Sequence, residues 1–230
     1  ANVNIPSTIN IDGTDYTVTV LNNAFQGATT LTSITIPASV IRIGAYAFAG
    51  TTNLTSVTFE AGSQLTSMGT HLFVNATKLT SIIIPDSVTS IEMNAFYLAT
   101  SLTSINIPAG VTIITDGTFR QASSLTSITI PAGVTSIGND SFRDATSLTS
   151  VTFEEGSQLT SIGVAAFQNT VQLISITLPA SLISIGTNAF ANTQSLTSIT
   201  VDSPNPNYNS IDGVLFNNTG TTLILYPAGN

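Results

Sequence analysis

The chain has no cysteine, no tryptophan, one histidine and only four basic residues against twelve acidic ones. Each shortage removes a class of function. Without cysteine there is no disulfide, no thiolate metal site and no cysteine nucleophile. One histidine excludes a multi-histidine metal site within a single chain. Four cations leave no electrostatic footprint for nucleic acid and no polybasic patch for anionic lipid. No apolar run approaches the ~18 to 20 residues of a membrane span, so neither a nucleic-acid partner nor membrane insertion is expected. No signal-peptide pattern opens the chain, and residue 1 reads as a processed terminus or a segment boundary. Only 7% of the 230 residues are charged, where an ordinary domain has about 25%, so the surface must be polar without being ionic. Serine and threonine fill that role and make up more than a quarter of the chain. With 42% hydrophobic residues the chain can build a core and is not expected to be disordered.

Internal periodicity dominates everything else. The segment Leu31-Thr32-Ser33-Ile34-Thr35-Ile36-Pro37 returns with its leucine at 31, 54, 79, 102, 125, 148, 173 and 196, in steps of 23 or 25 residues. Phenylalanine at 25, 48, 73, 96, 119, 142, 167 and 190 follows the same steps. Both 25-residue steps come from one enlarged turn, Phe59-Glu60-Ala61-Gly62-Ser63-Gln64-Leu65 and its counterpart at 153–159. Ile34 and Ile36 alternate with Ser33 and Thr35, the period of a strand with one buried face. Pro37 cannot donate to a ladder and ends it. Val40 to Ile43 reads as a second short extended stretch, and a turn then drops Phe48 into the core. Glycine recurs at 44, 69, 138, 163 and 186, with Glu92 and Thr115 as exceptions, which predicts a left-handed backbone that is favoured there and not obligatory.

A 23-residue unit cannot bury six large apolar side chains alone, whereas stacked copies cover one another. The expectation is therefore one elongated solenoid domain over 1–230, mainly β, with about eight repeats whose strands pair in parallel. Residues 1–30 are expected as an N-terminal cap or partial repeat, 31–201 as the repeats and 202–230 as a C-terminal cap. Within the last segment, Val214 to Phe216 and Leu223 to Tyr226 predict a hairpin that covers the exposed edge.

These residues resemble a known family. Leu-Thr-Ser-Ile-Thr-Ile-Pro followed by Val-Thr-Ser-Ile-Gly-x-x-x-Phe, best seen at 125–142, is similar to the BspA-like leucine-rich repeat. The closing segments around Asn205 to Tyr208, Ile211 to Leu215 and Thr221 to Pro227 resemble the end of many such arrays. The resemblance implies a right-handed leucine-rich-repeat coil with a parallel sheet. It also implies an extracellular or cell-surface location and adhesion to a host matrix protein, a cell-surface protein or a glycan, with no enzymatic activity. Many members carry cysteine three residues after the phenylalanine. Here that place holds Ala28, Thr51, Ala76, Ala99, Ala122, Ala145, Thr170 and Thr193, all small, so the packing role survives without a thiol.

The outward strand positions are the candidate binding face. Serine occupies the first column at 33, 56, 81, 104, 127, 150, 175 and 198. The second column, the candidate site, is Thr35, Thr58, Ile83, Asn106, Thr129, Thr152, Thr177 and Thr200. Threonine also precedes the strand at 32, 55, 80, 103, 126, 149 and 197, with Ile174 the exception. One reading is structural: threonine favours strands, and stacked hydroxyls bond one another or nearby backbone, most of all in the unbroken serine column. Another is a wide, weakly charged hydroxyl face for a protein or glycan, with specificity where Ile83 and Asn106 interrupt the row. A passive spacer within a larger surface protein, and an ice-binding lattice of threonines about 4.8 Å apart across strands and about 7 Å along them, are the alternatives.

Nothing in the sequence implies a cofactor or a catalytic centre. Asp140, Arg143 and Asp144, with Arg120 one repeat below, read as a surface ion pair. Glu60 and the Glu154-Glu155 pair sit in enlarged turns, which speaks against acid/base work. His71 has no partner near it in sequence. Asp202, Asn205, Asn207 and Asp212 supply oxygens of the type calcium takes, but without loop spacing, and cap turns explain them equally well.

Overall fold

The computed structural model describes residues 1–229. Eight coils stack into a β-solenoid, and no α-helix occurs among the described residues. Each repeat contributes one strand to each of two parallel ladders. In the first, Ser33–Ile36 pairs with Ser56–Phe59 so that Ser33 lies opposite Ser56 and Ile34 opposite Val57. In the second, Arg42–Ile43 pairs with Ser67–Met68. The repeat length makes this register obligatory: a slip by one residue would turn Ile34 and Ile36, both buried, out to water.

A third set of bonds closes the coil on its remaining side. Around each phenylalanine from Phe48 to Phe167, the amides of the residue two before it, of the phenylalanine itself and of the residue two after it donate to the next coil. Asp140 bonds to the Val164 carbonyl, Phe142 to Ala166 and Asp144 to Gln168, at 2.8–2.9 Å. Alternate amides can point the same way because the flanking residues are left-handed, as at Asp140 (φ 53°) and Asp144 (φ 60°). The result is that Phe25 to Phe190 form one continuous stack, with ring centroids 5.1–5.6 Å apart in successive pairs. Offset stacking of this kind adds to simple burial. Beside it, the buried Thr51, Thr170 and Thr193 donate their hydroxyls to Phe48, Phe167 and Phe190 carbonyls at 2.7–2.8 Å, so these polar atoms cost little in the core.

The recurrent glycines depart from expectation. Gly44, Gly69, Gly138, Gly163 and Gly186 are not left-handed; the left-handed places are those flanking phenylalanine. Glycine is needed because coils touch there: a Cβ on Gly69 would lie 2.5 Å from the Gly44 carbonyl carbon, and one on Gly186 2.5 Å from Gly163. Where Glu92 and Thr115 replace glycine the second ladder divides, between Ser90–Ile91 and Ile113–Ile114. There the Thr115 hydroxyl takes over and donates to the Ile91 carbonyl at 3.0 Å.

Both ends are more elaborate than the sequence suggests. Residues Asn2–Asn4 form a strand in parallel register with Ser33–Ile36, Val3 opposite Ile34, so the N-terminal segment is a coil in its own right. Its strand Val20–Leu21 pairs with Arg42–Ile43. Between them a hairpin is inserted, Thr8–Ile11 with Thr14–Thr17. At the other end the cap is a three-stranded antiparallel sheet, Tyr208–Ile211, Val214–Asn217 and Leu223–Leu225, where a two-stranded hairpin was expected. The added strand comes from Asp212-Gly213. Both residues have positive φ (50° and 81°), as do Asp12 and Gly13 in the N-terminal hairpin, the geometry of a two-residue hairpin turn.

Candidate binding face

The eight candidate residues lie on the outer side of the first ladder, exposed except for the half-buried Thr35. They do not form a uniform surface, because the ladder is in four pieces. Asn2–Asn4, Ser33–Ile36 and Ser56–Phe59 form one; Ser81–Ile82 with Ser104–Ile105 a second; Ser127–Ile130 with Ser150–Phe153 a third; Ser175–Leu178 with Ser198–Val201 the last. Two of the three divisions follow the two 25-residue repeats. The regular lattice of the ice-binding expectation is thereby interrupted. Of the eight candidates, only Thr177 and Thr200 bond hydroxyl to hydroxyl, at 2.8 Å.

The structural role assigned to the serine column belongs instead to the threonines that precede each strand. The hydroxyls of Thr55, Thr103, Thr149 and Thr197 each donate to the carbonyl one coil back, at 2.9–3.2 Å. Among the described residues no serine of the 33-to-198 column has a hydrogen-bond partner through its hydroxyl. Asn106 is also committed. Its amide accepts from the Ile84 N–H (2.7 Å) and donates to the Ile84 carbonyl (2.9 Å), filling the ladder where the two short strands of the second piece have ended.

Ile83 is different. It is 81% exposed, the most exposed large apolar side chain of the described residues. It stands on the rim of a cleft of about 620 Å³ between Ser56–Phe59 and Ser81–Ile82, which Thr58, Phe59, Glu60, Pro85 and Asp86 also line. The cleft marks a break in the backbone pattern. At the other junctions the amide before the strand donates to its counterpart one coil back, as from Thr55 to Thr32 (2.8 Å) and from Thr103 to Thr80 (2.9 Å). Between Thr80 and Thr55 that bond is absent, the one such junction among the described residues. The enlarged turn of residues 59–65 lies between the two in sequence, and the Glu60 carboxylate in it accepts from the Ala38 N–H at 3.2 Å. Glu154 does the same for Ala132, so both turn glutamates brace turns.

The remaining candidates fall to structural roles. Arg143 pairs with Asp140 at 3.1 Å and lies 3.7 Å from Asp144, while the Arg120 guanidinium sits over the Tyr97 ring. His71 stacks on Tyr46 and contacts the Asn94 amide through Nε2. Asn205 is buried, donating to the Pro179 and Leu182 carbonyls and accepting from the Asn207 and Tyr208 amides. Its amide is thus occupied in the cap turn. No helix of the described residues is long and apolar enough to cross a membrane.

The BspA type leucine rich repeat region, in six copies, matches residues 18–143 and 112–230. The chain belongs to the BspA-type leucine-rich repeat family. It is similar to a leucine rich cell surface protein from Faecalibacterium prausnitzii, at 30% identity and a TM-score of 0.67. That match covers 98% of this chain and 54% of the other, so the chain spans about half the length of that relative. It is also similar to a leucine rich repeat protein from T. pallidum, at 29% identity and a TM-score of 0.66, with 75% of this chain and 77% of that one covered. Neither is named as an enzyme. No protein of curated function matches the sequence.

Proposed function

We propose that the chain is a non-catalytic binding module displayed at the cell surface or secreted, which adheres to a protein or glycan through the outer face of its first ladder. Support comes from the break at Thr55 and Thr80. The two coils stay joined through the second ladder and the phenylalanine turns, so the stack does not depend on that bond. Here one junction is left open on the exposed face, beside an isoleucine presented to water. The surface location rests on the F. prausnitzii relative, which is described as a cell surface protein.

Binding is spread over many modest contacts and carries little ionic steering, since the charges are few. The test is a screen of immobilised matrix proteins and glycans against the chain. Saturable binding to one of them, changing by less than about tenfold between low and high salt, is the expected result. Absence of saturable binding throughout the screen, with the chain folded, would leave the passive spacer as the better description.

A further inference from the structure

The cleft between Ser56–Phe59 and Ser81–Ile82 has a composition that selects among partners. Its rim offers an aliphatic side chain, Ile83, and hydroxyls from Ser56, Thr58 and Ser81. Two carboxylates, Glu60 and Asp86, stand at its turn end, and none of the four basic residues of the chain lines it. Its only aromatic, Phe59, is half-buried, so no exposed ring is available as a platform for a sugar face. At its mouth the Thr55 carbonyl and the Thr80 N–H lack the bond that the same groups make at the other junctions.

We infer that this cleft takes an extended segment of a protein partner that carries a lysine or arginine beside an aliphatic residue. The segment lies over the cleft, its aliphatic side chain packs on Ile83, and its cation lies toward Glu60 and Asp86. The inference rests on the proposed binding role and narrows it to one place and one chemistry. Charge complementarity favours this occupant: the protein carries a formal charge of −8, and the cleft adds two carboxylates without a compensating cation.

Two capped hexapeptides test this by NMR titration of the whole chain: one alternating valine with lysine, the other alternating valine with glutamate. The lysine peptide is expected to saturate and to shift the Thr80 and Ile83 amides. The glutamate peptide is expected not to bind. The double variant Glu60→Gln, Asp86→Asn should weaken the lysine peptide by about two- to fivefold, and the glutamine retains an oxygen for the Ala38 amide. Ile83→Thr, which restores the column's usual residue, should weaken it further. Equal binding of both peptides, shifts confined to other coils, or unchanged affinity in these variants would overturn the inference. The matrix-protein screen run on the same variants separates the two levels. If a captured protein binds wild type and variants alike, the adhesive role stands and the cleft is not its site.

Discussion

Glycine and asparagine share the turns of this solenoid for different reasons, and the difference is measurable at single residues. Gly163 is needed for space, because an added Cβ would lie 2.6 Å from the Gly138 carbonyl carbon and the Asn139 nitrogen, both of the coil below. Gly163→Ala should therefore cost about 1–3 kcal/mol, in the range of overpacked cores. Gln121 shows the opposite case. It is left-handed (φ 57°), and glycine holds the equivalent place at 27 and 50. Gln121→Gly should be neutral or stabilising by up to about 1 kcal/mol, relief of the left-handed strain being partly offset by a freer unfolded chain. Chemical denaturation should lower the midpoint for Gly163→Ala and leave it unchanged or raised for Gln121→Gly. Ser141 adds a third case. Its hydroxyl is buried without a partner, in a column where alanine is common, and Ser141→Ala should gain about 1 kcal/mol.

Among elements, the ladders of the first sheet show how far side chains can repair backbone. Asn106 supplies one acceptor and one donor to Ile84, whose own side chain is buried. Asn106→Ala should leave both main-chain groups open, costing about 1–2 kcal/mol, and amide exchange at Ile84 should accelerate more than at Ile130 two coils away. In the C-terminal cap, burial pushes the Tyr208 hydroxyl above its ordinary value, against the opposing effect of a hydrogen bond with the Ile185 backbone. A phenol kept neutral on folding stabilises fully below its unfolded value of about 10 and progressively less as pH rises through the folded one. The cap should loosen above about pH 10, and Tyr208→Phe should remove that component from an alkaline titration followed by circular dichroism. Strands, the enlarged turns and the inward phenylalanines were legible in the sequence because each recurs at a fixed place within one repeat. The divisions of the ladder were not, since they depend on whether one coil's amide reaches the next. Ile83 stood out as an irregularity, but its neighbours Glu60 and Asp86 join it only through stacking. The N-terminal strand was hidden because an inserted hairpin separates Val3-Asn4-Ile5-Pro6 from the rest of its own coil.

For the molecule as a whole, stacking makes stability nearly a sum of coil terms and junction terms, with each coil touching only its neighbours. The eight phenylalanines carry this coupling along the full length of the array, from Phe25 to Phe190. Phe119, fully buried, stacks on Phe96 at 5.6 Å and Phe142 at 5.3 Å, and it lies one coil beyond the division of the second ladder between Ile91 and Ile113. Its junction toward Phe96 lacks the second ladder and its junction toward Phe142 lacks the first. Phe119→Ala should cost about 3–5 kcal/mol through lost burial and a residual cavity, and the loss falls on a coil that is divided in one ladder from each of its neighbours. Unfolding should then separate into two transitions, one for each side of the lesion. Phe190→Ala, at the last coil, should fray one end and leave a single transition. Denaturant unfolding followed by segment-resolved hydrogen exchange distinguishes the outcomes. A single transition for Phe119→Ala, with protection lost evenly from Phe48 to Phe167, would mean that coupling extends well beyond nearest neighbours.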